Sequence, residues 1–249
     1  MSEAEETPTC SLRLEATRKG LVIWPDGGLA PALDWFDPEA LAASGQARAG
    51  GVGRGATVRF HSAGRECVLR HYRRGGLASR VTEDRYLRTG LRNSRPWREL
   101  ALLVRLHAGG MPVPPPLAAR VQPLGPLSPW YRGDLVTEWL PDTRTLAQAL
   151  GEGPLDEAVW AAIGRTLRRF HSVGVDHADL NAHNILLGAD GAVYVIDFDR
   201  ARLRRPGRWQ QGNLERLRRS LDKLRDQGGG GFAFGEDDWR RLRAGYDGP

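Results

Sequence analysis

The stretch His177–Asp199, HADLNAHNILLGADGAVYVIDFD, holds the residue types that phosphoryl transfer demands. Asp179 stands two positions after His177, Asn184 lies five residues past Asp179, and Asp197-Phe198-Asp199 closes an apolar run. Phosphoryl transfer is mostly positioning and charge neutralisation, so a carboxylate must align the attacking oxygen and hard oxygen ligands must hold Mg²⁺ on the nucleotide phosphates. Asp179 can present its carboxylate to an acceptor hydroxyl. Asn184 and Asp197 can share a divalent metal.

The same spacing fits the kinase pattern H-x-D-x-x-x-x-N followed by D-F-x, with a strand expected over Ala192–Phe198 between the two halves. Elements upstream must then supply the nucleotide grip. Thr57–His61 and Glu66–Tyr72 read as two strands joined at Ser62-Ala63-Gly64-Arg65, a hairpin signal. Just before them, Gly53 and Gly55 flank Arg54 in a segment that can let backbone N–H groups approach phosphates. Arg70 occupies the place where a kinase strand carries its phosphate-binding lysine, and it keeps a permanent charge with a forked donor geometry. Trp97–His107 has a helical rhythm that ends at Gly109-Gly110, and Glu99 near its start is the natural partner for Arg70. After the turn forced by Pro112, Pro114, Pro115 and Pro116, the apolar run Leu117–Val121 and a Pro/Gly-rich excursion to Gly133 lead to a strand over Leu135–Leu140. Backbone groups from Glu138 to Leu140 are where a kinase meets the adenine edge.

Beyond Pro141 the periodicity becomes helical. Asp156 can cap a helix that buries Val159, Trp160, Ile163, Leu167 and Phe170 before Gly174 closes it. Asn213–Leu224 carries Leu214, Leu217, Leu221 and Leu224 on one stripe, with Arg216, Arg218 and Arg219 around it, solvated or facing an anion. A last helical piece is expected over Phe232–Tyr246. The fold class is therefore α+β, a protein-kinase-like two-lobed fold with a small antiparallel-sheet N-lobe, a mainly helical C-lobe and nucleotide in the cleft between them. Residues 1–45 read as an N-terminal extension packing on the small lobe, 46–140 as the N-lobe with its linker, and 141–249 as the C-lobe.

Composition agrees with a globular enzyme. The chain has 249 residues, 41% of them hydrophobic and 27% charged, which excludes a fibre or a disordered chain. Its net charge of +6 favours an anionic partner, and Lys19 and Lys223 are its only lysines. The arginines are spread along the chain without a nucleic-acid-binding motif, so no nucleic-acid partner is expected. Cys10 and Cys67 fit neither a metal-ligand spacing nor a disulfide framework, which predicts a reducing, cytoplasmic setting. The N-terminus is acidic and no run of some 18 apolar residues occurs, so any membrane contact is expected from the surface.

Asp179–Leu187, Ile196–Arg200 and Leu69–Leu77, with Asp84–Tyr86, Gly110–Pro114, Ala118–Arg120, Tyr131–Leu135 and Asn213–Leu217, resemble the 3-deoxy-D-manno-octulosonic acid (Kdo) kinases. These sugar kinases of lipopolysaccharide core assembly are related to the core heptose kinases. The resemblance covers roughly residues 50–225 and implies transfer from ATP, with Mg²⁺, to the 4-hydroxyl of Kdo on a lipid A precursor at the cytoplasmic face of the inner membrane. It implies Asp179 as catalytic base, Asn184 and Asp197 as metal ligands, Arg70 in place of the nucleotide-binding lysine, and Glu99 as its partner. A lipid-linked Kdo acceptor and a peripheral contact with the anionic membrane surface follow from it, with no obligate protein partner. It also gives Arg73, Arg74, Arg85, Arg202, Arg204 and Arg205 carboxylates and phosphates to bind. The motif core is shared with inner-core heptose kinases and aminoglycoside-type kinases, and only the Arg70–Gly76 and Asp84–Tyr86 stretches favour Kdo. No A-P-E triplet follows Asp199, which argues against a protein kinase, and the role of Asp199 in the D-F-D triplet stays open.

Overall fold

A computed structural model describes residues 11–45, 47–48, 57–72, 86–87, 90–126, 128–228 and 231–248. Gly53, Gly55, Arg73, Arg74 and Arg85 lie outside them. The chain divides into two compact units, one of residues 1–109 and 114–139 and the other of residues 110–113 and 140–249.

The first unit is built on an antiparallel sheet whose described strands run in the order β1 (Leu12–Thr17), β2 (Gly20–Pro25), β7 (Pro116–Pro123), β8 (Trp130–Glu138), β5 (Arg65–His71), β4 (Thr57–Ser62) and β3 (Ala47–Arg48), with β6 (Tyr86–Leu87) also paired to β8. The hairpin of β4 (Thr57–Ser62) and β5 (Arg65–His71) turns through Ala63 and Gly64 at positive φ, as its sequence predicts. β5 pairs with β8 (Trp130–Glu138), which pairs in turn with β7 (Pro116–Pro123) and β6 (Tyr86–Leu87). β8 starts five residues before the expected Leu135. The Pro/Gly-rich excursion conceals this because Gly133 sits inside the strand, where any Cβ would collide with Pro96 and press on Tyr72.

The opening residues do more than lie against the sheet. β1 (Leu12–Thr17) and β2 (Gly20–Pro25) form a hairpin, and β2 hydrogen-bonds to β7, so this segment extends the sheet by two strands. A short 3-10 turn at Leu33–Phe36 and the helix α1 (Pro38–Ala43), capped by Asp37 onto the Ala40 N–H (3.2 Å), follow, and Ala47–Arg48 adds the edge strand β3. Trp35, Phe36 and Leu41 pack with Val22, Trp24, Phe60, Leu69 and Val136 in one buried cluster. The helix α2 (Arg95–Ala108) presents Leu100, Leu103 and Leu106 to the interior.

In the second unit, β9 (Thr143–Thr145), β11 (Ile185–Gly188) and β12 (Val193–Val195) form a small antiparallel sheet, and β10 (Val175–Asp176) pairs with β13 (Arg202–Leu203). β12 stops short of the expected Phe198 because Asp197 adopts a left-handed conformation (φ 65°), which ends the extended run. Thr145 caps α3 (Leu146–Glu152) in a reciprocal box with Gln148, whose N–H lies 3.1 Å from the threonine hydroxyl. α4 (Glu157–Ser172) buries Trp160, Ile163, Leu167 and Phe170 as expected, while Val159 is only half-buried. α5 spans Trp209–Gln227, a turn longer at its start than the leucine stripe suggests, and α6 spans Glu236–Asp247. Gly164 lets α4 approach α6, since a methyl there would meet the Leu242 carbonyl and the Tyr246 amide.

Candidate active site

In the second unit, β10 delivers the chain to a loop held almost entirely by amide groups. The Leu180 N–H donates to the His177 carbonyl (3.0 Å) and the Asn184 N–H to that of Asn181 (3.0 Å). The Asn181 and Asn184 side-chain amides both donate to the Asp179 carbonyl, at 2.8 and 3.0 Å. Two outside anchors fix the ends: Asn213 Oδ1 accepts from the His177 N–H (2.8 Å), and Ser220 Oγ from that of Ala182 (3.2 Å). The loop is thus rigid while the Asp179 side chain stays exposed, with no hydrogen bond or ion pair among the described residues. A carboxylate so displayed is available to a hydroxyl proton.

Asn184 is 8% exposed, and because its Nδ2 is spent on the Asp179 carbonyl, its Oδ1 remains as the available ligand atom. The Ile196 N–H donates to the Asn184 carbonyl (3.0 Å), which brings the segment entering Asp197 alongside Asn184. Asp197 is half-buried in its left-handed conformation, a backbone cost that concentrates at functional sites. One amide oxygen and one carboxylate form a sparse donor set. It fits Mg²⁺, which keeps waters and takes the rest of its shell from substrate phosphates.

His177 lies beneath the loop. Its Nε2–H donates to the Ile196 carbonyl (3.0 Å), its ring meets Phe198 edge-on at 5.0 Å, and Nδ1 is buried without a hydrogen-bond partner among the described residues. Burial pushes its pKa below the usual histidine value, so the ring is neutral and structural. Asp199 is half-buried in the turn closed by the Ala201 N–H on the Phe198 carbonyl (2.9 Å).

In the first unit, Arg70 on β5 and Glu99 on α2 form the expected ion pair. Glu99 is 2% exposed and also accepts from the Tyr72 hydroxyl at 2.5 Å, while the Arg70 guanidinium lies 5.0 Å from the Tyr72 ring centre. Arg70 remains about a quarter exposed, so its fork is both aimed and accessible. Glu138, at the end of β8, pairs with Arg65 and donates its N–H to the Pro115 carbonyl (2.9 Å). In the second unit, the Leu140 carbonyl accepts from the Thr143 hydroxyl (2.9 Å), while its N–H has no partner among the described residues.

Two networks escaped the sequence reading. Asp176 accepts from Asn213 Nδ2 and Arg204 Nη1, each at 2.9 Å, so Arg204 is tied to the base of the loop that carries Asp179. Asp134 accepts from Arg120 (2.8 Å) and His71 (2.6 Å), and Arg120 also reaches the Phe36 carbonyl (2.8 Å), locking the opening segment to the sheet. A leucine-spaced helix with an asparagine among its apolar positions is the one signal that could have pointed to Asn213.

Comparison with known proteins now bears on this arrangement. Residues 41–246 match the lipopolysaccharide kinase (Kdo/WaaP) family. The 3-deoxy-D-manno-octulosonic acid kinase of Vibrio cholerae is 40% identical over 187 residues, 75% of this chain and 78% of that one. Its namesake in Actinobacillus succinogenes is 38% identical over 85% of this chain and 89% of its own, and that of Xanthomonas oryzae pv. oryzae 46% identical over 72% and 70%. The solved structure of WaaP in complex with acyl carrier protein shares the fold, with a TM-score of 0.52 at 23% identity over 84% of this chain and 81% of that one. The chain therefore belongs to the lipopolysaccharide kinase (Kdo/WaaP) family and is an ATP-dependent phosphotransferase of protein-kinase-like fold.

Proposed function

We propose that the protein transfers the γ-phosphoryl group of ATP to the 4-hydroxyl of Kdo on a lipid A precursor during lipopolysaccharide core assembly. The observation that carries this reading is the unpaired Asp179 carboxylate on a loop that also presents Asn184, with the segment entering Asp197 hydrogen-bonded alongside it, in a chain up to 46% identical to kinases named for 3-deoxy-D-manno-octulosonic acid. Asp179 orients the acceptor hydroxyl and takes its proton as the oxygen attacks. Arg70, held by Glu99 and Tyr72, grips nucleotide phosphate through a fork that a mobile lysine would lack. Asn184 and Asp197 would hold Mg²⁺, which when bound neutralises charge on the phosphate oxygens. The backbone from Glu138 to Leu140 receives the adenine edge, and the unpartnered Leu140 N–H supplies a donor for it.

Among the described residues no helix is long and apolar enough to cross a membrane. A lipid-linked acceptor then calls for a peripheral encounter, on the cytoplasmic face where ATP is available, and a chain with net charge +6 suits an anionic surface. Transfer from ATP with Mg²⁺ to a Kdo-bearing lipid A precursor, a heptose-bearing core and an aminoglycoside, read by product mass, tests the reading. Phosphate on the Kdo acceptor alone, placed at the 4-position by NMR, is the expected result. Phosphate on the heptose core or the aminoglycoside alone would overturn the acceptor assignment.

A further inference from the structure

The helix α5 touches the catalytic loop at two points two turns apart. Asn213 holds the His177 N–H and Ser220 holds that of Ala182, so Asp179 is carried between the two contacts. Arg216 falls three residues after Asn213 and four before Ser220, which puts it on the helix surface next to both. Lys223, three residues beyond Ser220, continues the same flank. Both side chains are exposed and have no hydrogen bond or ion pair among the described residues.

The helix sorts its charges. Asp222 pairs with Arg218 and Arg225, Asp226 pairs with Arg225, and Glu215 accepts from Gln211 (3.3 Å), so its acids are satisfied away from the loop. Positive charge is left uncompensated on the flank beside the base. An unpaired guanidinium contributes little to stability there, but it is well placed to bind an anion next to the reacting hydroxyl. The acceptor named by the relatives is a sugar acid, and a planar carboxylate matches the arginine fork with two parallel hydrogen bonds.

We propose that Arg216 binds the carboxylate of the acceptor sugar and so holds the acceptor at the Asp179 loop, with Lys223 adding to the attraction. This rests on the acidic-sugar acceptor argued above. Lipid phosphates offer related oxyanion chemistry, and the assay has to separate the two sources. Steady-state transfer is measured for wild type, Arg216→Gln and Arg216→Lys on the Kdo-bearing acceptor, on its carboxylate methyl ester, and on the acceptor with its lipid phosphates removed.

Losing a charge-assisted pair should raise the KM of Arg216→Gln for the acid by about 10- to 100-fold, with kcat and the KM for ATP nearly unchanged. On the ester, wild type and Arg216→Gln should be alike, because the partner group is already gone. Arg216→Lys should recover part of the loss, and the defect should persist on the dephosphorylated acceptor. An equal defect on acid and ester, a defect confined to phosphorylated lipid, or an unchanged KM would each overturn the proposal. Wild type inactive on every Kdo acceptor would overturn the acceptor assignment itself, and the inference with it.

Discussion

The two units hold their working charges in opposite ways. In the first, Arg70 and Arg120 are locked into ion pairs with Glu99 and Asp134, carboxylates that water scarcely reaches, and His71 hydrogen-bonds to Asp134. In the second, the loop is fixed by amide groups and the carboxylate of Asp179 is left without a partner. A group that grips phosphate has only to keep its charge and aim, and a buried counter-charge secures both. A general base has to keep its lone pairs free for the substrate, so order must come from the backbone around it. On the proposed roles, the contrast separates residues whose loss should harm binding and stability from those whose loss should harm chemistry alone.

Glu99→Ala should have the largest effect on the fold. It removes the carboxylate that accepts from both the Arg70 guanidinium and the Tyr72 hydroxyl, and losing two such charge-assisted hydrogen bonds costs about 3–5 kcal/mol, to be read by denaturant unfolding. Its KM for ATP should rise as well. Asp197→Asn should leave unfolding unchanged but lower kcat by about 10²–10³-fold, with part of the rate returning at high Mg²⁺. Asn213→Ala lies between the two classes. It removes the hydrogen bonds to His177 and Asp176, so a loss of about 1–3 kcal/mol of stability should accompany a fall in kcat as the loop loses its anchor.

The smallest effect expected is on pH dependence. Burial pushes His171 down to about 4 and His177 also below its ordinary value, so each binds a proton more readily unfolded than folded. Stability is then full above pH 6.5 and falls as pH drops towards 4. For His171 alone the loss between pH 6.5 and 5.5 is about 1 kcal/mol. His171→Gln can still bond the Tyr246 hydroxyl and should flatten that slope in urea melts taken across the range.

What could be read from the chain was local. The spacing of Asp179, Asn184 and Asp197 is written directly in the sequence, and the Arg70–Glu99 pair could be read because a strand and a helix each announce themselves by periodicity. The Arg120–Asp134–His71 network joins three strands and the Phe36 carbonyl, and nothing in the neighbourhood of any one residue records the others. The hairpin of β1 and β2 went unseen for a similar reason. β1 alternates apolar and polar residues over only six positions and is exposed along most of its length, and β2 is fixed by pairing with β7, about a hundred residues away. Asp197 shows the converse: an apolar run predicted a strand through Phe198, and the left-handed turn of a non-glycine residue ended it at Val195.

The most direct test of the division between grip and chemistry is Asp179→Ala, assayed in parallel for MgATP affinity by titration calorimetry and for single-turnover transfer to the Kdo-bearing acceptor. The expected result is wild-type affinity and wild-type unfolding, with transfer slowed by about 10²–10⁴-fold. Transfer at the wild-type rate would contradict the assignment of the base, and a loss of nucleotide binding equal to the loss of rate would contradict the division itself.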